Sequence, residues 1–252
     1  MHTVVEAGVL LGAGVLAGLV GSAGGITSLV SYPALLAVGV PALAANVANI
    51  VAIVACWPGS ALASTAELKG RGPWLLRWAP VAGLGGAIGA ALLLSTPPGV
   101  FARVVPFLVA AGSLVLLAQP RLAARRRRHE ARHGGPALPT GVVALSLYNG
   151  YFGAGSGVMT LALMLLTVDG NLPRANALKN MLIGAGSVVS ATALMWFGPV
   201  DWAAVAPLAV GMFTGATLGP RVTRRLPARV LRWAVALLGM ALAVDLFVRA
   251  GA

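Results

Sequence analysis

The sequence is poor in charged residues, and this scarcity excludes most water-soluble proteins. Only 10% of the 252 residues are charged, whereas 58% are hydrophobic, and the mean hydropathy is +0.89. The surface of a soluble domain needs roughly 25% charged residues. The sequence therefore predicts a protein whose solvent is lipid.

Cysteine, histidine and acidic residues are scarce as well, and their positions exclude several kinds of site. A single cysteine in an apolar run allows neither a disulfide framework nor a cysteine metal cluster, so we predict no metal site and no cofactor. Histidines outside the apolar segments leave no Ser-His pair within the membrane. Carboxylates only at segment ends or in loops argue against a buried proton relay. These residues are Cys56; His2, His129 and His133; and Glu6, Glu67, Glu130, Asp169, Asp201 and Asp245.

Basic residues are in excess, which gives a net charge of +12. They lie between apolar segments rather than on a face with base-stacking aromatics, so we predict no nucleic-acid partner. Cytoplasmic loops of membrane proteins are enriched in Lys and Arg. The arginine-rich stretch 121–128 therefore predicts a cytoplasmic linker, and the chain is expected to be a multi-pass protein of the cytoplasmic membrane.

The apolar stretches predict an all-α polytopic protein with about eight transmembrane segments. Spanning a bilayer takes about 20 apolar residues, and the candidates are 4–38, 43–66, 75–94, 100–118, 138–168, 174–197, 203–218 and 229–248. The first and fifth would form roughly 50 Å of helix, too long for one crossing. Each contains a glycine cluster, at 21–25 and 153–157. We therefore predict that each is broken into two half-helices at its cluster.

The second half of the chain repeats the first. The stretch that starts at Gly18 recurs from Asn149, each copy running from a glycine cluster to a proline and an Ala-Asn helix start. We assign residues 1–119 to the first repeat, 120–137 to the basic linker and 138–252 to the second repeat. Counting segments from the linker puts the loops 39–41 and 198–201 outside, which makes the repeats inverted. Broken helices in inverted repeats are typical of secondary transporters, with the site near the bilayer midplane.

The order and duplication of these motifs resemble the TauE/SafE sulfite exporter family of bacterial permeases. The resemblance rests on the paired glycine clusters, the Ala-Asn helix starts after Pro41 and Pro173, the pair Lys179-Asn180 and the turn 198–202. It implies transport of small sulfur-containing anions such as sulfite, thiosulfate or organosulfonates. Asn46 and Asn49 depart from the threonine and serine expected in the first repeat.

Physical chemistry predicts where such an anion would bind. A break exposes backbone groups, and the half-helix N-terminus that follows it attracts negative charge. Lysine within the membrane is costly and marks functional sites, and Lys179 shares one helical face with two asparagines. An alternative is that Lys179 extends to the cytoplasmic surface while the asparagines only join helices. The candidate binding residues are Gly24, Gly25, Asn46, Asn49, Gly155, Ser156, Gly157, Asn176, Lys179 and Asn180.

Two alternative functions remain open at this stage. An anion channel could use the same glycine breaks, although inverted repeats favour a transporter. A membrane hydrolase would need Ser156 paired with Lys179 as its base. The sequence leaves open whether Na⁺ or H⁺ drives transport and whether the protein forms a homodimer.

Overall fold

The computed structural model of the chain describes residues 4–126, 137–223 and 228–251, and every regular element in these ranges is an α-helix. The helices are α1 (Val4–Gly24), α2 (Ser28–Ala37), α3 (Ala42–Ile53), α4 (Cys56–Ala63), α5 (Thr65–Leu68), α6 (Gly72–Ser95), α7 (Pro98–Arg126), α8 (Ala137–Tyr151), α9 (Ser156–Thr167), α10 (Leu172–Phe197), α11 (Trp202–Thr223) and α12 (Ala228–Gly251).

The helices confirm the polytopic all-α class. Among the described residues, 6 segments are long and apolar enough to cross a membrane. They are Val4–Ser22, Ala42–Ala63, Gly72–Ser95, Pro98–Ala118, Leu172–Phe197 and Trp202–Gly219. The predicted stretch 138–168 does not form a single span, because it is divided between α8 and α9, and α12 covers the last predicted segment.

Both predicted breaks are present, one in each repeat. The first lies between α1 and α2, and the second between α8 and α9. The backbone turns at glycines with positive φ, which are Gly25 (74°), Gly153 (82°) and Gly155 (77°). An L-residue with a side chain rarely adopts this conformation. The glycine clusters therefore end one half-helix and start the next.

A third interruption, between α3 and α4, was not predicted from the sequence. Pro58 has no backbone N–H, so it cannot bond to the carbonyl of Val54 four residues earlier. The N–H of Trp57 bonds to that carbonyl instead, at 3.0 Å. The equivalent helix of the second repeat, α10, has Val188 in this region and is continuous. The two repeats therefore differ here, with an interrupted helix in the first and a continuous helix in the second.

Close glycine contacts show which helices run in the same direction. A Cβ atom built on Gly14 would lie 2.4 Å from the carbonyl oxygen of Leu208, and one on Gly18 would lie 2.3 Å from that of Met212. A step of four residues along α1 thus corresponds to a step of four residues in the same direction along α11, so the two helices are parallel. These contacts pair a helix of the first repeat with one of the second.

The helix α6 runs parallel to both α8 and α10. Built Cβ atoms on Gly85 and Gly89 would meet the carbonyl oxygens of Val143 and Leu147, four residues further along in both helices. In the same way, a Cβ atom on Gly186 would meet the carbonyl oxygen of Ala82, and the hydroxyl of Ser190 bonds to that of Gly86 at 2.9 Å. A short loop joins α10 to α11, so these two helices are antiparallel. Because α1 is parallel to α11 and α8 has the same direction as α10, α1 and α8 run in opposite directions. The two copies are inverted, as expected.

An ion pair joins the loop before α6 to the loop after α9. The guanidinium of Arg71 contacts the carboxylate of Asp169, so these two loops lie on the same side of the molecule. Gly198, at the opposite end of α10, approaches Val47 of α3. Of the predicted linker 120–137, residues 127–136 lie outside the described residues, as do the basic residues Arg224 and Arg225.

Candidate functional site

The two helix breaks cross at the centre of the molecule. A Cβ atom on Gly25 would lie 2.4 Å from the carbonyl carbon of Gly157, and a Cβ atom on Gly157 would lie 2.4 Å from the Cα atom of Gly25. Real Cβ atoms do not approach other atoms so closely. The absence of side chains at both positions therefore lets the two backbones touch.

A cavity lies beside this crossing, between the breaks, α3, α4 and α10. Its volume is about 40 Å³, whereas one water molecule needs roughly 10 to 15 Å³ on the same measure. The first turns of α2 and α9 contribute Ser28 and Ser156 to its wall. Helix N-termini carry positive partial charge and favour anions. The cavity therefore has the size and the local field that suit a small anion.

Lys179 brings the amino group of its side chain to this cavity. Its side chain is only 1% exposed, and its Nζ atom donates a hydrogen bond of 3.2 Å to the carbonyl oxygen of Gly21, in the last turn of α1. The lysine thus does not extend to the surface. A cation is favourable at a helix C-terminus, yet an ammonium has three donors, and the described residues provide this one acceptor and no carboxylate partner.

Two asparagines on the same face of α10 also cap the end of α1. The side-chain nitrogens of Asn176 and Asn180 both donate to the carbonyl oxygen of Ser22, at 2.8 Å and 3.1 Å. In the first repeat, Asn46 donates to the carbonyl oxygen of Tyr151 at 2.9 Å, at the end of α8. Each repeat therefore caps the broken helix of the other.

The remaining asparagine candidate, Asn49, bonds within the first repeat. Its Oδ1 atom accepts a hydrogen bond of 2.5 Å from Ser31, and its Nδ2 atom donates to Ser28 at 3.1 Å. Asn49 is 1% exposed. Its polar atoms therefore hold α2 against α3.

The structure brings together half of the predicted binding residues around the cavity. Those that line it are Gly25, Ser156, Gly157, Lys179 and Asn180. The others are not part of its wall. They are Gly24, Asn46, Asn49, Gly155 and Asn176. Within this second group, Gly155 packs against Gly112 of α7.

Several polar residues of the cavity wall were missed by the sequence analysis. Ser28, Asn149 and Ser187 line the cavity and are buried. Asn149 could have been noticed, because it stands at the start of the repeated stretch in the second copy. The serines carry no comparable signal, since serine is common in membrane helices as an interhelical hydrogen-bonding residue.

The arrangement does not provide the Ser-Lys pair of a hydrolase. The hydroxyl of Ser156 donates to Oδ1 of Asn149 at 2.9 Å, and Lys179 donates to the carbonyl oxygen of Gly21. A nucleophilic serine must instead bond to its base. The described contacts of both residues therefore fit binding better than catalysis.

Comparison with known proteins places the chain among membrane transporters. The sulfite exporter TauE/SafE family matches residues 7–246. A probable membrane transporter protein of Haemophilus influenzae is 28% identical over 224 residues, covering 85% of this chain and 84% of that protein. The probable membrane transporter protein YfcA of Escherichia coli K12 is 28% identical over 233 residues, covering 89% and 83%. The probable membrane transporter protein ORF9 of a Sinorhizobium species is 26% identical over 236 residues, covering 92% and 88%. No solved structure matches the chain.

Proposed function

The chain belongs to the sulfite exporter TauE/SafE family, and from this premise we propose that it is a secondary transporter of a small sulfur-containing anion. The anion binds in the cavity beside the crossing of Gly25 and Gly157. Sulfite, thiosulfate and organosulfonates are the candidate substrates. The family membership supports the transporter class, and the cavity supports the negative charge of the substrate.

The observation that carries this proposal is the buried ammonium of Lys179. Removing a charge from water costs several kcal/mol unless a partner compensates for it. The carbonyl of Gly21 compensates only in part, and no carboxylate of the described residues pairs with the lysine. An anion in the cavity would supply the missing partner. Intramembrane ionisable groups of this kind characteristically lie on substrate pathways.

The backbone of the two breaks supports the same proposal. The half-helices α2 and α9 both begin at the cavity, with Ser28 and Ser156 in its wall. In transporters with discontinuous helices, half-helix N-termini point at the anionic groups of substrates. Two such termini and one ammonium act on the same small volume.

Inverted repeats also support alternating access over a static pore. In such folds, one group of helices moves against the other around a fixed central site. Here α1 packs with α11, and α6 packs with α8 and α10, so the two groups are each built from both repeats. Movement of one group against the other would open the cavity first to one side and then to the other. Moving an anion outward down a potential of 100 mV releases about 2.3 kcal/mol per charge, and this free energy can drive export without a coupling ion.

Flux measurements test the proposal directly. The full chain is reconstituted in liposomes, and uptake of radiolabelled sulfite, thiosulfate, sulfoacetate and taurine is measured. We expect saturable uptake of at least one of them, with counterflow when unlabelled anion is trapped inside. Flux that neither saturates nor shows counterflow would instead identify an anion channel, and no flux of any of the four compounds would contradict the proposed substrate class.

A further inference from the structure

Two buried serines in the cavity wall each complete a hydrogen-bond relay that ends at the cavity. We propose that the hydroxyl groups of Ser28 and Ser187 donate hydrogen bonds to the anion, and that Asn49 and Asn149 hold these hydroxyls in position. The inference rests on the proposed transport function and specifies which groups contact the anion. Serine and asparagine thereby have separate roles, binding and positioning.

The first relay runs from α2 through α3 and back to α2. The hydroxyl of Ser31 donates to Oδ1 of Asn49 at 2.5 Å, and Nδ2 of Asn49 donates to the Oγ atom of Ser28 at 3.1 Å. Ser31 also approaches the carbonyl oxygen of Thr27 at 3.0 Å, which ties it to α2. Because both polar atoms of Asn49 are engaged, its side chain has one orientation.

The second relay runs from α9 through α8 to α10. The hydroxyl of Ser156 donates to Oδ1 of Asn149 at 2.9 Å, and Nδ2 of Asn149 donates to the Oγ atom of Ser187 at 3.0 Å. Both serines are buried, with 3% and 1% exposure. Each relay therefore has the same order, from a serine hydroxyl through an asparagine to a second serine.

The direction of the hydrogen bonds leaves one unused hydroxyl donor in each relay, at its final serine. The Oγ atoms of Ser28 and Ser187 accept the asparagine N–H groups, so their own hydroxyl hydrogens are available to another acceptor. Neither hydroxyl donates to an acceptor in the part of the chain that the structure describes. Both residues line the cavity that Lys179 also lines. Two hydroxyl donors and one ammonium thus face the same space.

Gly153 lies beside both relays. A Cβ atom built on it would lie 3.4 Å from Oδ1 of Asn149 and 3.7 Å from the Oγ atom of Ser28. One residue of each relay therefore lies close to this glycine, which brings the two relays near each other. Gly153 also lines the cavity.

The number and kind of donors indicate the chemical group that they bind. Two hydroxyls and an ammonium match the three oxygen atoms of a pyramidal SO₃ group, which sulfite, thiosulfate and organosulfonates share. A halide offers a single acceptor atom to the three donors, whereas an SO₃ group offers three. The relays therefore favour SO₃-containing anions over chloride.

Substitution of the terminal serines tests the inference by its effect on affinity. The variants are Ser28→Ala and Ser187→Ala in the full-length protein, and binding of radiolabelled sulfite and sulfoacetate is measured on purified protein. A lost hydrogen bond to a charged ligand should weaken binding about tenfold to a hundredfold in each variant. Ser28→Thr should keep most of the affinity, because it retains the hydroxyl.

A serine on the same helix provides the matched control. Ser190 is buried, and its hydroxyl bonds to the carbonyl oxygens of Gly86 and Gly186, both at 2.9 Å. Ser190→Ala should leave affinity unchanged. Asn149→Ala should weaken binding as much as Ser187→Ala, and the double variant should bind no more weakly than either single variant, because both act through one hydroxyl.

The possible outcomes separate this inference from the function on which it rests. If the unmutated protein binds a sulfur anion but both alanine variants bind it equally well, the inference is wrong and the transport proposal stands. If the unmutated protein binds neither of these anions and also transports neither thiosulfate nor taurine, both are overturned. Should Ser187→Ala fail to fold, the comparison of Ser28→Ala with Ser28→Thr decides alone, since equal affinities would contradict the role of the hydroxyl.

Discussion

Gly25 and Gly157 touch through their backbones, so each helix break is the packing surface of the other. A Cβ atom on either residue would lie 2.4 Å from a backbone atom of its counterpart. Glycine is thus required at both positions by packing, before any ligand is considered. A larger side chain at either position would separate the repeats as well as narrow the cavity.

Replacing Gly157 by alanine should therefore destabilise the protein. The added methyl group would overlap the backbone of Gly25, and overpacking of this kind costs about 1–3 kcal/mol. We expect a lower midpoint of thermal unfolding for Gly157→Ala in detergent, together with reduced anion flux.

The matched control is Gly12→Ala in α1. A Cβ atom on Gly12 has no neighbour within 4 Å, and alanine is favoured over glycine in a helix by roughly 0.5–1 kcal/mol. Gly12→Ala should unfold at the same or a higher temperature than the unmutated protein. Normal stability and flux in Gly157→Ala would contradict both the tight crossing and its place in the transport site.

The asparagines that cap the broken helices should matter mainly for stability. In Asn46→Ala, the carbonyl of Tyr151 loses its donor, and a buried unsatisfied group costs about 1–3 kcal/mol. Asn46→Asp should be worse, because a carboxylate would face that carbonyl. Thermal unfolding of the two variants checks this order. The reverse order would show that Asn46 does not donate to the end of α8.

Membrane orientation follows from the basic loops. In a Cys56→Ala background, a membrane-impermeant thiol reagent applied to intact cells should label Pro199→Cys and spare Lys69→Cys. Both introduced cysteines should be labelled once the membrane is permeabilised. The opposite pattern in intact cells would mean that the basic loops face outward, contrary to the expected orientation.

The breaks and the inversion could be predicted from the sequence because both depend on local signals. Two overlong apolar stretches with central glycines indicate the breaks, and Gly25 and Gly155 adopt the positive φ that such turns need. The pairing of α1 with α11 could not be predicted in the same way. It depends on contacts such as that of Gly14 with Leu208, which are nearly 200 residues apart and have no single-sequence signal.

The candidate site was predictable only where a residue type is unusual in a membrane. Lysine and asparagine are rare in apolar helices, and Lys179 and Asn180 do line the cavity. Asn46 and Asn176 have the same rarity but bond to backbone carbonyls. A sequence shows that a polar group needs a partner, and it does not show whether that partner is a ligand or the protein itself. The serine relays were missed for this reason.

The buried side chain of Lys179 is the central feature of this site, and replacing it should weaken anion binding. Loss of a charge-assisted hydrogen bond costs about 1.5–3 kcal/mol, which corresponds to roughly tenfold to hundredfold weaker binding. Lys179→Arg should retain part of the affinity, because it keeps the charge but not the compact shape of the ammonium. Lys69→Gln, which removes an exposed loop charge, is the control.

The most direct test is therefore equilibrium binding of radiolabelled sulfite and sulfoacetate to purified Lys179→Gln protein beside the unmutated and Lys69→Gln proteins. The account predicts that Lys179→Gln alone binds the anion more weakly than the unmutated protein does. Thermal unfolding should show that all three proteins are folded. Equal affinity of Lys179→Gln and the unmutated protein would contradict it, because the lysine would then serve only to cap the end of α1 at Gly21.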